Sequence, residues 1–396
     1  MKNIAMILDN EFTGDMRVEN EVISLQKAGF QVYVLCLNHG EKASFETFNG
    51  AKILRISISL FFKNKTKGFA NTFLDLFSHF WAYHLKKMIK KYNIDVVHAH
   101  DLYMLKAAFI ATKNKKIPVV ADLHENYPEA LKNYKYTKTF PGNLIISIPK
   151  WEKSEIEWLN KADKVITVIE EAVERYKKLG VNTNKISVVP NYVNLEVFNT
   201  KINLPEISAK FSTFKTATYI GGFDYHRGLE SIIKGVPLIV EAIPNFKLIL
   251  VGTGKNENEL KELANQLNIN NHISFEGWQS PDSLASYIDA SNICLIPHLK
   301  SIHTDNTIPH KLFQYMLMEK PVFSSNCAPL ERIINASSCG EIFLSGDSND
   351  FASKIISSLK NDEQLKSMGI SGKKAVLERY NWDAAAVNLI DLYKNI

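Results

Sequence analysis

Residues 303–325, HTDNTIPHKLFQYMLMEKPVFSS, read as a polar loop, a helix start, one short helix, a turn and a buried strand. Pro309 suits the first turn of a helix, where its missing N–H removes no bond. Leu312, Tyr315 and Met316 recur at spacings of three and four, which makes one helix face apolar. The helix is expected to stop near Glu319-Lys320-Pro321, and Val322-Phe323 to open the strand. His310 and Lys311 then sit among the unpaired amides of the helix start, an arrangement suited to a phosphate, although a charged helix start is more often simply solvated.

The same strand–helix alternation runs outward in both directions. Residues 4–8, 31–37, 51–56, 95–99, 119–122, 164–168 and 185–189 read as apolar strands with helical stretches between several of them. After Pro190 the pattern restarts, with strands expected at 216–220, 247–251, 272–275, 293–296, 321–324 and 340–343. Buried apolar strands alternating with helices indicate α/β architecture, a parallel sheet covered on both faces. Asn191, Asn194, Asn199, Asn203 and Pro205 cluster at a boundary near 190–212, so two domains are expected. Two such domains facing each other would place a cleft at the C-terminal ends of both sets of strands.

With 396 residues, 45% of them hydrophobic, the chain is long enough for two cores and is not disordered. The opening residues run straight into a strand-length apolar segment, too short for a signal-peptide core. No run approaches the length of a spanning helix. Cys36, Cys294, Cys327 and Cys339 are scattered, which fits a reducing cytoplasm and gives no zinc-ligand spacing. Charge is uneven: residues 1–195 carry 28 Lys/Arg against 20 Asp/Glu, and residues 196–396 carry 19 against 22. Within 50–92 nine basic residues face Asp75 alone and are interleaved with Leu60, Phe61, Phe62, Phe69, Phe73, Leu74, Leu76, Phe77, Phe80 and Trp81. That mixture suits peripheral contact with an anionic membrane; the plainer reading is a core-facing helix with a solvated lysine side. Lys132, Tyr134, Lys135, Tyr136 and Lys138 form a second such patch. Nucleic acid is not expected as a partner, since the isoelectric point of about 8.7 is modest and no binding motif occurs.

Two glycine loops follow strands in the second half. Gly221-Gly222-Phe223-Asp224-Tyr225-His226-Arg227-Gly228 leads into a helix, and Gly252-Thr253-Gly254 follows another strand. Paired glycines let backbone approach a ligand closely. Arg227 at the helix start could meet a diphosphate with both its fork and the helix dipole. Neither loop is a dinucleotide fingerprint or a P-loop.

Together these segments resemble the retaining glycosyltransferases of family 4, with the GT-B fold of two facing Rossmann-like domains. The resemblance runs through Pro190-Asn191-Tyr192-Val193-Asn194 with Phe198, the 221–228 loop, Phe275-Glu276-Gly277-Trp278, Ile296-Pro297, Pro309-His310-Lys311-Leu312-Phe313-Gln314-Tyr315, Lys320-Pro321-Val322 and Arg379-Tyr380-Asn381-Trp382. It implies an acceptor-binding domain at 1–195, a nucleotide-sugar domain at 196–379, and a last helix at about 380–396 crossing back to the first domain. It implies a nucleotide-sugar donor, a UDP-sugar among the options, with Arg227 and Lys311 on the diphosphate and His124 beside the donor sugar as the catalytic set. Gly221, Gly222, Gly252, Gly277, Trp278, Asp305, Asn306, Thr307, Ile308 and Gln314 would form the rest of the donor site, and His100, Asp101 and Glu125 would face the acceptor. No metal ion and no further cofactor is expected. The acceptor would be a saccharide or lipid-linked saccharide in surface-polysaccharide synthesis (capsule or lipopolysaccharide), at the cytoplasmic face of the membrane.

Three positions depart from the family pattern. Gly222 stands where an arginine is common, and Asn306 and Gln314 stand where paired glutamates are common; amides keep the size and hydrogen bonding but not the charge. Asp305, one residue away, is a candidate replacement carboxylate. Two other functions are compatible with these departures or with the fold: a sugar-nucleotide epimerase, and a non-catalytic nucleotide-sugar-binding protein.

Overall fold

In the computed structural model the described residues are 2–40, 42–133, 135–140, 142–198 and 204–396, with only the backbone of Asn133 and Lys135. Asn199 and Asn203 of the boundary cluster, and Tyr134 and the Lys135 side chain of the second patch, lie outside them. The chain divides into two compact units, Met1–Asn191 with Asp383–Ile396, and Tyr192–Trp382.

The first unit holds eight strands: β1 Asn3–Ile7, β2 Gln31–Asn38, β3 Phe45–Phe48, β4 Ala51–Ser57, β5 Val96–His100, β6 Val119–Leu123, β7 Lys164–Thr167 and β8 Ile186–Val188. Their order across the sheet is β3-β4-β2-β1-β5-β6-β7-β8. Every neighbour pair is parallel except β3 with β4. The central strands are buried along their whole length because helices cover both faces, which explains their unbroken Val, Ile, Leu and Ala content. β3 was not expected. It is a four-residue antiparallel edge strand, half exposed, so it lacks the apolar run by which the others are recognised.

Strand register sets up the first site. His98 and His100 lie two apart on β5 and so share a face. Asp122 on β6 sits directly across from His100. Helix Met16–Lys27, capped by the Asp15 side chain on the Val18 N–H, presents Arg17 and Glu21 one turn apart on its buried side. The last helix, Trp382–Lys394, closes the unit: Tyr393 is fully buried with its hydroxyl 2.6 Å from His98 Nδ1, and Lys2 Nζ donates to the Ile396 carbonyl at 2.6 Å.

The second unit is a six-stranded parallel sheet of β9 Lys215–Ile220, β10 Phe246–Val251, β11 Ile273–Gly277, β12 Ile293–Ile296, β13 Val322–Ser325 and β14 Gly340–Phe343, in the order β11-β10-β9-β12-β13-β14. Helices Leu229–Ala242 and Ser348–Leu359 bury Ile232, Val236, Ile239, Phe351 and Ile355 with the sheet in one core. The helix in the 303–325 stretch spans only Lys311–Leu317. Pro309 therefore lies before the first turn, its carbonyl accepting from Leu312 N–H at 3.2 Å. Glu319, at φ 56°, turns the chain into β13 three residues later.

Candidate functional site

In the second unit the expected donor residues gather at the C-terminal ends of β9, β10 and β11. Gly221 and Gly252 both carry positive φ (145° and 134°), and the space where a Cβ on Gly252 would go lies 2.0 Å from the Gly221 carbonyl oxygen. The two loops thus touch through backbone, which only glycine permits. Gly252 N–H donates to the Gly277 carbonyl at 2.7 Å, so the third loop joins the same edge. Lys311, first residue of its helix, reaches this edge. Its ammonium lies 4.0 Å from the centroid of the Tyr219 ring and 2.5 Å from where a Gly221 Cβ would stand. Any side chain at 221 would displace it.

Arg227 closes the other side from the single turn Tyr225–Arg227. Its guanidinium donates to His298 Nε2 at 3.0 Å, while its Nε is buried without a partner. Gly228 follows at φ 69°, where a Cβ would lie 1.9 Å from the Pro297 carbonyl oxygen. Neither Arg227 nor Lys311 forms an ion pair with a carboxylate among the described residues. Burial, and then Arg227, hold the Lys311 ammonium well below the usual lysine range. Burial and Arg227 likewise hold His298 well below the usual histidine range and push His226 down to about 4. Two basic side chains and two imidazoles held low therefore share one edge, with Asp224 of the same loop as the nearby acid and neither base ion-paired to it. A bound anion would relieve that imbalance.

The remaining donor candidates are less uniform. Asp305 is engaged locally: its Oδ1 accepts from Ala328 N–H at 2.8 Å, at the start of helix Ala328–Ser337, where a carboxylate is stabilised. Asn306 donates to the Ile302 carbonyl at 2.7 Å and leaves its Oδ1 buried without a hydrogen bond. Thr307 donates to the His303 carbonyl at 3.3 Å, and Ile308 is buried. The Gln314 side-chain amide forms no hydrogen bond among the described residues. Trp278 is 72% exposed. Gly222 is exposed with no close neighbour; a Cβ there meets nothing nearer than Asp224 Oδ2 at 3.5 Å.

In the first unit Asp122 is the hub. Its carboxylate pairs with Arg17 at 2.8 Å, His124 Nε2 at 3.0 Å, His100 Nδ1 at 3.2 Å and His98 Nε2 at 3.4 Å. Arg17 also bonds Glu21 at 3.0 Å and donates to the Val189 carbonyl at 2.8 Å and to Asn191 Oδ1 at 2.7 Å. Burial alone would raise Asp122, but Arg17 and then His124 outweigh it and hold the carboxyl well below its usual range. Glu21 goes the other way: burial, and then the Asp122 charge, raise it well above the carboxylate range. Burial lowers His98, and burial with His98 takes His100 to about 4. His124 is opposed by burial but lifted to about 9 by Asp122 and then Asp101, so it is a cation at neutral pH. Glu21, His98, His100 and Asp122 bring ligand-type atoms within 4.8 Å of one another. The Arg17 guanidinium already supplies the cation this group needs.

Asp101 and Glu125 flank His124. Asp101 sits at φ 69°, ψ 151°, a conformation otherwise confined to glycine. Its Oδ1 lies 3.6 Å from His124 Nδ1, and its Oδ2 accepts from Tyr103 hydroxyl at 2.7 Å. Tyr103 also donates to Asp9, at 2.9 Å, and Asp9 is paired with Lys67 at 2.8 Å and Lys63 at 3.7 Å. Glu125 has no hydrogen bond or ion pair at its carboxyl among the described residues; burial, and then Asp101, push it up to about 7.

The 50–92 region divides in two. Helix Leu76–Tyr92 faces the core through Phe77, Trp81, Leu85 and Met88, the plainer of the two readings. The preceding stretch does not: helix Leu60–Gly68 buries only Thr66, and Phe61, Phe73 and Leu76 are 69%, 92% and 62% exposed. Lys63 and Lys67 are tied to Asp9 and so are not free surface cations, and Lys132 of the second patch is held by Glu129 and Glu152. No helix among the described residues is long and apolar enough to cross a membrane.

Sequence reading missed Arg17, Glu21, His98, His298 and Tyr393. The available signal was a polar residue at a position that pattern assigns to the core: Arg17 and Glu21 four apart on a helix, and His98 inside Val-Val-His-Ala-His.

A family model described as Glycosyltransferase Family 4 matches residues 16–197, and one described as Glycosyl transferases group 1 matches residues 200–375. The chain belongs to the family 4, group 1 glycosyltransferases. The glycosyltransferase is 22% identical to a phosphatidyl-myo-inositol mannosyltransferase of Mycobacterium leprae, over 77% of this chain and 74% of that one. Its fold is GT-B, with Rossmann-like units. The sucrose-phosphate synthase of Thermosynechococcus elongatus superposes at a TM-score of 0.78 with 18% identity, covering 100% of this chain and 99% of that one. HepE of Anabaena, solved with UDP, does so at 0.74 with 13% identity, covering both chains completely.

Proposed function

We propose that this glycosyltransferase moves a hexosyl or N-acetylhexosaminyl group, with retention of configuration, from a nucleoside-diphosphate sugar to a lipid-linked saccharide acceptor in surface-polysaccharide synthesis. The observation that carries the donor half is the edge where Arg227 and Lys311, neither ion-paired with a carboxylate among the described residues, meet the glycine loops at 221 and 252. Breaking the sugar–phosphate bond builds negative charge on the diphosphate. Arg227, Lys311 and the exposed loop amides stabilise that charge electrostatically, without a metal ion. Each charge-assisted bond contributes about 1.5–3 kcal/mol. UDP is the favoured nucleotide because HepE was solved with it. In this reading His124, a cation held between Asp122 and Asp101, is the group assigned to the donor sugar, and its charge complements the leaving group. The acceptor hydroxyl attacks from the face the diphosphate leaves, and its proton passes to the departing phosphate oxygen.

A lipid-linked acceptor is favoured by the exposed Phe61, Phe73 and Leu76 beside Lys65, and by the lipid named for the mannosyltransferase relative. Peripheral contact with an anionic membrane follows from the same surface. The test is transfer from labelled nucleotide-sugar to a lipid extract, with anomeric configuration read by NMR; inversion at the anomeric carbon overturns the retaining assignment. The sensor reading is favoured by Gly222, Asn306 and Gln314 and requires donor binding without turnover. The epimerase reading requires conversion of the nucleotide-sugar without any acceptor.

A further inference from the structure

Tyr103 follows the strained Asp101 by two residues, in the first turn of helix Leu102–Thr112. The Asp101 backbone is fixed on both sides: its N–H donates to the Asp122 carbonyl at 2.8 Å, and its own carbonyl accepts from Met104 N–H at 3.1 Å. Its carboxylate is held less firmly. The side chain is 25% exposed, so water competes for it. Among the described residues its hydrogen-bond and ion-pair contacts are His124 Nδ1, at 3.6 Å, and the Tyr103 hydroxyl, at 2.7 Å. The Tyr103 ring, by contrast, is buried. It packs edge to face on Phe77 at 6.2 Å, lies 5.1 Å from the Tyr127 ring, and carries the Lys67 ammonium 3.6 Å from its centroid. Burial, and then Asp101, raise the phenol well above its usual range, so it is a donor at neutral pH.

This hydroxyl has one proton and faces two carboxylates. Asp9 lies 2.9 Å away and already has Lys67 at 2.8 Å and Lys63 at 3.7 Å. Asp101 has neither a lysine nor an arginine partner among the described residues, so it is the carboxylate that depends on the hydroxyl. Without that bond, Asp9 would repel Asp101 across the gap left by one oxygen atom, and the exposed carboxylate would turn to water. Resting on the assignment of His124 above, we propose that Tyr103 is a positioning residue for transfer: its hydroxyl holds the Asp101 carboxylate at His124 Nδ1, so that the imidazole is gripped from both sides, by Asp101 and by Asp122. Arg17 and Glu21 from the first helix, His100 from β5 and Glu125 beside His124 surround the same pair, and none of them touches the Tyr103 hydroxyl among the described residues.

The test is an NMR titration of the His124 ring in the full chain, with UDP release from UDP-glucose measured alongside. Tyr103→Phe keeps the ring and its contact with Lys67. It is expected to lower the His124 titration from about 9 by roughly one unit, and to lower kcat for UDP release about tenfold with KM unchanged. Asp101→Asn does the same, and the double variant does no more than either alone. Asp9→Asn leaves the hydroxyl to Asp101 and the His124 titration in place. A titration unmoved by Tyr103→Phe, additive effects in the double variant, or an equal shift in Asp9→Asn overturns the assignment. A shifted titration with unchanged UDP release supports the Tyr103–Asp101–His124 chain and counts against the catalytic reading of His124 instead.

Discussion

Replacing Asp101 by glycine and by alanine separates strain from charge at the His124 site. At φ 69°, ψ 151° an L-residue is strained by about 1–3 kcal/mol. Alanine keeps that strain and loses the carboxylate that accepts from Tyr103 at 2.7 Å. Glycine loses the same carboxylate but releases the strain, at an extra chain-entropy cost of about 0.5–1 kcal/mol. The Tyr103 hydroxyl keeps Asp9 at 2.9 Å in both. Asp101→Gly is therefore more stable than Asp101→Ala by roughly 1–2 kcal/mol, the reverse of the usual ranking. Urea denaturation read by tryptophan fluorescence measures this, since Trp81, Trp151 and Trp158 report the first unit. With a slope of about 2 kcal/mol per molar urea, the midpoints differ by about 0.5–1 M. Both variants lose transfer activity together, because both remove the partner of His124 Nδ1. Equal stability, or a more stable alanine variant, would refute the strain argument.

Gly228→Ala, whose Cβ meets the Pro297 carbonyl oxygen at 1.9 Å, destabilises the second unit by several kcal/mol, whereas Gly222→Arg, whose Cβ makes only an ordinary contact with Asp224 Oδ2 at 3.5 Å, folds normally and tightens UDP binding about tenfold; melting curves and calorimetry distinguish them. His124, raised to about 9, contributes stability that is complete below its ordinary value of 6.5 and is lost as pH rises through 9. The stability gap between the parent chain and His124→Gln therefore shrinks from on the order of 3 kcal/mol at about pH 6 to near zero by about pH 10. Lys311, held low by burial and Arg227, takes up a proton when a diphosphate arrives, so UDP titrations in buffers of different ionisation enthalpy show proton uptake that Lys311→Met abolishes.

The parallel strands were legible because burial on both faces leaves an unbroken apolar run, and β9 to β14 fall within two residues of their expected ends. β3 was not, since an exposed edge strand carries no such run. The same division holds at the site. Gly221, Arg227 and His124 stand just after strands and Lys311 opens a helix, the positions that carry the family resemblance. The Asp122 hub does not read out, because it joins residues from both ends of the chain: Arg17 follows the first loop, His98 lies inside β5, and Tyr393 is three residues from the end. Only sheet order and register bring them together. Asp305 is engaged locally, its Oδ1 accepting from the Ala328 amide, a contact that no sequence motif signals.

The central claim is that Arg227 and Lys311 form a metal-independent donor site. The most direct measurement is a metal-free screen of UDP-, GDP-, dTDP- and CMP-sugars by thermal shift and nucleotide release, with Arg227→Ala alongside. The account predicts stabilisation and slow release by one class of nucleotide-sugar, both lost in the variant. Stabilisation by none of them, or stabilisation retained in Arg227→Ala, would contradict it.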